Sequence, residues 1–135
     1  MNAGYSGTPL PKKLGIKPDS RVSIVRAVPG FEAAIEPFQL ADSTIDILIA
    51  FCQTRAELEA ISERRIEIEP DGSIWICWPK KSSKLPTEIT ENLLRDVLLP
   101  TGLVDNKVCA IDDQWSGLRF VWRKELRNSI SSKSV

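Results

Sequence analysis

Two short runs constrain this chain more than any other feature. Residues 46–51 read DILIAF and residues 73–78 read SIWICW. Each is too short for an ordinary helix. Each is apolar at successive rather than alternate positions, so both of its faces must be covered. A strand inside a sheet layered on both sides meets that demand. Helix signals surround the runs. Thr54-Arg55-Ala56-Glu57 is a capping box: the Thr54 hydroxyl can accept from the Glu57 amide while the Glu57 carboxylate reaches back. The helix it opens buries Leu58 and Ile61, and Pro70-Asp71-Gly72 is expected to end that segment as a turn. Thr87 is expected to cap a further helix through about Leu99, with Ile89, Leu93, Leu94, Val97 and Leu98 on its apolar face.

Three more strands follow from β-branched and aromatic runs: residues 21–26 (RVSIVR), 107–111 (KVCAI) and 118–123 (LRFVWR). After the first, Val28-Pro29-Gly30 is a turn, and Phe31, Ala34, Ile35 and Phe38 mark a short helix limited by Pro37. The last two strands are joined by residues 112–117 as a hairpin. Helical crossovers between apolar strands make parallel neighbours. The expected architecture is α/β, with a five-stranded, mostly parallel sheet of order 1-2-3-5-4, an antiparallel last strand and three main helices. Residues 1–20 read as an N-terminal arm, 21–127 as the α/β domain and 128–135 as a frayed, Ser-rich tail. Within the arm, Thr8-Pro9 can cap a helix of one or two turns carrying Lys12 and Lys13. The arm either straps a face of the sheet or lines a pocket through Tyr5 or Ser6.

Composition removes several chemistries. Eighteen Lys and Arg balance eighteen Asp and Glu, so no nucleic-acid partner is expected. The chain has no His, which removes Ser-His-Asp triads, Cys-His dyads and His metal sites together. Its three cysteines, Cys52, Cys77 and Cys109, form no CxxC pair and lie in or beside apolar runs, where Cys packs as a small hydrophobe. Cys52 differs in standing at a strand end just before a helix start, where a thiolate can be stabilised. No metal and no cofactor are expected. The N-terminus lacks the apolar core of a signal peptide, and residues 45–52 are too few to span a bilayer, so a cytoplasmic protein is expected.

Two segments carry a wider resemblance. Residues 14–25 (LGIKPDSRVSIV) and 69–79 (EPDGSIWICWP), with the terminal hairpin, resemble the class I S-adenosylmethionine-dependent methyltransferase fold, which is Rossmann-like. More closely, four ordered blocks resemble a bacterial family with no assigned activity, domain of unknown function 3052. They are residues 4–10 (GYSGTPL), 12–17 (KKLGIK), 78–81 (WPKK) and 105–118 (DNKVCAIDDQWSGL). The resemblance implies a fold and no activity. The chain departs from methyltransferases at the cofactor loop, which is Gly-rich in them. Here residues 26–31 read RAVPGF, with one glycine, a proline that lacks an N–H, and bulky Val28 and Phe31. The same loop fits neither GxGxxG nor a P-loop. A second strand with an acidic residue for the ribose hydroxyls is not identifiable.

In an open parallel sheet, ligands bind outside the carboxyl ends of the strands. That rule brings residues 78–84 (WPKKSSK) and 112–117 (DDQWSG) to one edge. Lys80, Lys81 and Lys84 with Ser82 and Ser83 read either as an anion cradle or as a solvated loop paired with acids. Asp112 and Asp113 read as a base or as a salt-bridged hairpin turn. Trp115 either anchors its loop or stacks on a planar ligand. Ser116 closes the turn, and Arg55 and Tyr5 stand as further edge contacts. The preferred reading is a non-catalytic module binding a small anionic ligand or a protein partner. The alternatives are a methyltransferase-like enzyme with a degenerate cofactor loop, or a structural protein, as monomer or homodimer.

Overall fold

The computed structural model describes residues 8–127. The two doubly covered runs become neighbours at the middle of one sheet. Strand β3 (Ile45–Phe51) pairs in parallel with β4 (Ile68–Pro79), with Leu48 opposite Ile74 and Phe51 opposite Cys77. Strand β1 (Arg21–Val25) lies parallel on the other side of β3. Strand β6 (Trp115–Trp122) inserts antiparallel between β4 and β5 (Leu103–Ala110).

Among the described residues the sheet has six strands rather than five. Gln39–Leu40 forms a two-residue β2 parallel to the start of β1, and the full order is β2-β1-β3-β4-β6-β5. Main-chain bonds create it: Gln39 N donates to the Ser20 carbonyl at 2.8 Å and Ala41 N to Val22 at 2.9 Å. Both β2 residues are exposed, so no burial pattern marks them.

Among the described residues there are four α-helices, the three main ones and the short arm helix that carries Lys12 and Lys13: α1 (Leu10–Leu14), α2 (Phe31–Ile35), α3 (Arg55–Glu63) and α4 (Glu91–Leu98). The capping box of α3 forms as expected, with Thr54 Oγ1 accepting from Glu57 N and the Glu57 carboxylate from Thr54 N. Thr87 does not cap α4; Thr90 does, accepting from Leu93 N at 3.1 Å. Residues 85–90 instead run beside the start of α3. Thr87 Oγ1 and Glu88 N both donate to the Gln53 carbonyl, and Glu88 accepts from Arg55 N at 2.7 Å. Partners on α3 therefore outweigh the local signal to begin a helix.

Pro70-Asp71-Gly72 is not a turn. It lies within β4, where residues 69–72 stand opposite Asp46 alone as a wide irregularity in the ladder. Gly72 is needed there: a Cβ would approach the Asp46 carbonyl oxygen to 2.7 Å. The Asp46 carboxylate accepts from Arg21 N at 2.8 Å and from the Arg21 guanidinium at 3.0 Å. Burial works against its ionisation, but these bonds prevail and hold its carboxyl below the ordinary value of 3.8.

Helices α3 and α4 cover one face of the sheet, burying Leu58, Ile61, Leu94 and Leu98 against Leu48, Ile74, Ile76 and Phe120. On the other face α1 and α2 bring Leu14, Phe31 and Ile35 onto Ile49, Phe51, Trp75 and Trp115. Residues 10–16 of the arm thus strap this face, and the Trp75 indole N–H donates to the Leu14 carbonyl at 3.1 Å. Tyr5, Ser6 and the 128–135 tail lie outside the described residues. Among the described residues, no helix is long and apolar enough to cross a membrane.

Candidate functional site

Topology brings the two distant loops together. Lys80 N donates to the Gln114 carbonyl at 2.8 Å, and Pro79 stands opposite Trp115 in the ladder. Both therefore lie at the carboxyl edge of β4, beside the ends of β1 and β3. Along this edge, two places differ in what their side chains allow.

The first lies between β1 and β3, where the strand order reverses and an open α/β sheet has its ligand crevice. Arg26 crosses it. Its backbone takes φ 57°, a left-handed conformation uncommon away from glycine. Its guanidinium Nε donates to the Phe51 carbonyl at 2.8 Å and lies 3.4 Å from the Glu57 carboxylate. The bond from Gln53 N at 2.8 Å, aided by Arg26, keeps the Glu57 carboxyl below its ordinary range despite partial burial. The same guanidinium reaches Cys52 Sγ at 3.7 Å. Burial nevertheless pushes the Cys52 thiol above its ordinary 9.0, so the expected thiolate is not favoured. Gly30, at φ 83°, turns the chain into α2 and sets Phe31 into the core below.

The second place is a cleft of about 630 Å³ between the end of β4 and the start of α4. Trp78, Pro79 and Ile89 give it apolar walls, and Lys81, Thr87, Thr90, Asn92, Arg95 and the acidic Glu91 line it with polar groups. Lys81 opens a 3-10 turn, Lys81–Ser83, tied by Ser83 Oγ donating to the Lys80 carbonyl at 2.7 Å. Arg95 is committed to Glu91 at 3.0 Å and Asp105 at 3.2 Å.

The expected contacts separate in this setting. Lys81 lines the cleft, while Lys80 is half-buried and Ser82 exposed on the same turn. The Asp112 carboxylate accepts from the amides of Gln114 and Trp115, each at 2.8 Å, and so shapes the hairpin turn. Trp115 is not in the loop: it begins β6, is 7% exposed and meets Phe51 edge-on at 5.2 Å. Anchoring, not stacking on a ligand, is its arrangement. Ser116 is a half-buried ladder residue between Trp78 and Ala110. Arg55 turns along its own helix to Glu59 at 2.9 Å. Arg26 and the α4 residues Asn92 and Arg95 carry no local signal for these roles, because their surroundings come from distant segments. Among the described residues, no group of three or more acidic or Cys side chains could hold a metal ion.

A further strand stands beside β1. Strand β2 ends at Leu40, and Asp42 follows two residues later, exposed.

No family model and no curated protein matches the chain. Solved structures do. Fibrillarin from Aeropyrum pernix, determined with natively bound S-adenosyl-L-methionine, is similar at a TM-score of 0.55 and 16% identity, over 84% of this chain and 72% of that one. A ribosomal protein L11 methylase from Lactobacillus delbrueckii subsp. bulgaricus gives 0.54 and 11%, over 84% and 75%. The fibrillarin pre-rRNA processing protein of Methanococcus jannaschii gives 0.51 and 11%, over 85% and 69%. At these identities the likeness is one of fold: this is a Rossmann-like, methyltransferase-like α/β chain.

Proposed function

We propose that this chain is a non-catalytic binding module that takes a small anionic ligand in the cleft between β4 and α4. One observation carries the reading: the switch-point crevice is spanned by Arg26 bonded to Phe51 and Glu57, whereas the cleft beside Lys81 stands open. Lys81, with Lys80 on the same turn, supplies positive charge. Trp78 and Ile89 supply apolar surface, and Thr87 and Asn92 supply polar contacts. A few polar groups set in a mostly apolar concavity are what a small-molecule site requires. The test is ligand-dependent melting against a panel of nucleotides and phosphorylated or carboxylated metabolites. A stabilising member is expected, and Lys80→Ala with Lys81→Ala should remove its shift. A shift that survives both substitutions would sink the assigned site.

A second reading is a methyltransferase-like enzyme, and the observation favouring it is β2 itself. With that strand in place, Asp42 stands at the carboxyl edge next to β1. Equilibrium binding of S-adenosylmethionine decides between the two. Binding weakened by Asp42→Asn, together with methyl transfer from labelled cofactor, would overturn the module reading.

A further inference from the structure

We propose that the groove between α1 and the edge strand β5, remote from Lys81 in its lining, is a second anion site that takes a small phosphorylated ligand. The groove encloses about 560 Å³ and is lined by Thr8, Lys12, Lys13 and, from β5, residues 107–110. Three of these are lysines and none is acidic, although the chain as a whole carries no net charge. A concavity of one sign with low-dielectric walls concentrates the field and draws in counter-ions. Its volume lies within the range of small-ligand sites, roughly 300–1,000 Å³.

The lysines are not all loose surface groups. Lys107 Nζ donates to the Lys13 carbonyl at 2.9 Å, which ties its ammonium to the last turn of α1. An ammonium has three donors, so two remain for a ligand. Two of the lysines also act on the groove wall. Burial raises the Cys109 thiol, while Lys13 and then Lys107 draw it down. Beside them, Arg119 stands opposite Lys107 in the β5–β6 ladder, and its Nε is buried without an acceptor among the described residues. Residues opposite in a ladder share a face of the sheet, but Arg119 lines a separate pocket, with Asp46 and Asp71, and not this groove. Clustered ammonium groups suit a phosphoryl group, which concentrates two negative charges on one centre, better than a single carboxylate.

The sequence supplies its own probe. Cys52 and Cys77 are fully buried, so Cys109 is the thiol that a reagent reaches. In the full chain, modification of Cys109 by uncharged N-ethylmaleimide should slow when pyrophosphate is added, and titration calorimetry should give a matching affinity. Lys12→Ala, which removes no hydrogen bond in the fold, and Lys107→Ala should each weaken pyrophosphate by about tenfold. Lys81→Ala should leave that affinity unchanged, which separates this site from the cleft beside α4. Three results would overturn the proposal. In one, pyrophosphate gives no protection. In another, Lys81→Ala alone abolishes binding. In the third, a single-stranded oligonucleotide binds as tightly per phosphate, the mark of a diffuse basic surface.

Discussion

The two faces of the sheet are built by different means. Helices α3 and α4, nine and eight residues long, cover one face with aliphatic side chains on amphipathic surfaces. Among the described residues the other face has only α1 and α2, of five residues each, and aromatic bulk fills the space that longer helices would occupy. Phe51 makes edge-on contacts with both Phe31 and Trp115. A five-residue helix has no stability of its own in water. The sheet therefore holds α1 directly, with Trp75 Nε1 and Lys107 Nζ each donating to a carbonyl in its last turn. The long-helix face is scaffold closed by packing. The short-helix face is a strap on tethers, and its margin leaves a groove.

The strongest way to break this comparison is Trp75→Ala. Trp75 is fully buried beneath α1, and its loss should cost about 3–5 kcal/mol in urea denaturation. A cost near that of a surface change would show that the aromatic layer does not carry its face. Trp75→Phe is finer. It keeps a ring but leaves the Leu14 carbonyl without its donor, for about 1–3 kcal/mol. Amide exchange should then quicken around α1 and stay unchanged in α3; equal quickening in both would erase the distinction between strap and scaffold.

Much of the scaffold was legible because its causes are local. DILIAF and SIWICW are apolar at every step after their first residues, and the Thr54 box needs only four consecutive residues. What escaped has distant causes. Strand β2 is two exposed residues held by main-chain bonds to Ser20 and Val22. Pro70-Asp71-Gly72 has strong turn character, yet the approach of Asp46 across the sheet draws it into β4. Thr87 and Thr90 are equally good caps in isolation, and Gln53 decides between them. The site divides likewise. Strand direction alone placed residues 78–84 and 112–117 on one edge. Which side chains there remain available was set by partners such as Phe51 for Trp115 and Glu57 for Arg26.

Smaller effects sharpen the scaffold side. Thr54→Ala removes the α3 cap and should cost about 1 kcal/mol, read as a lower melting point without faster exchange in α1. Asp46→Asn should cost most at neutral pH, where the pair with Arg21 is intact, and change the acid limb. The folded Asp46 carboxyl sits below its ordinary 3.8, so its contribution is present above that value and is lost as pH falls through the lower, folded value. The Asn variant should therefore show a shallower decline in stability with acid; an unchanged slope would mean that the Arg21 pair contributes nothing to it.

The insertion of β6 between β4 and β5 has a consequence for synthesis. Residues 74–79 of β4 find their partners in residues 115–120, and β5, made earlier, reaches the sheet only through β6. Until residues 115–122 are synthesised, one flank of β4 therefore presents open amide and carbonyl groups along an apolar strand, a ready template for another nascent copy. A transcript cut short before Trp115 should yield aggregate rather than a smaller folded protein.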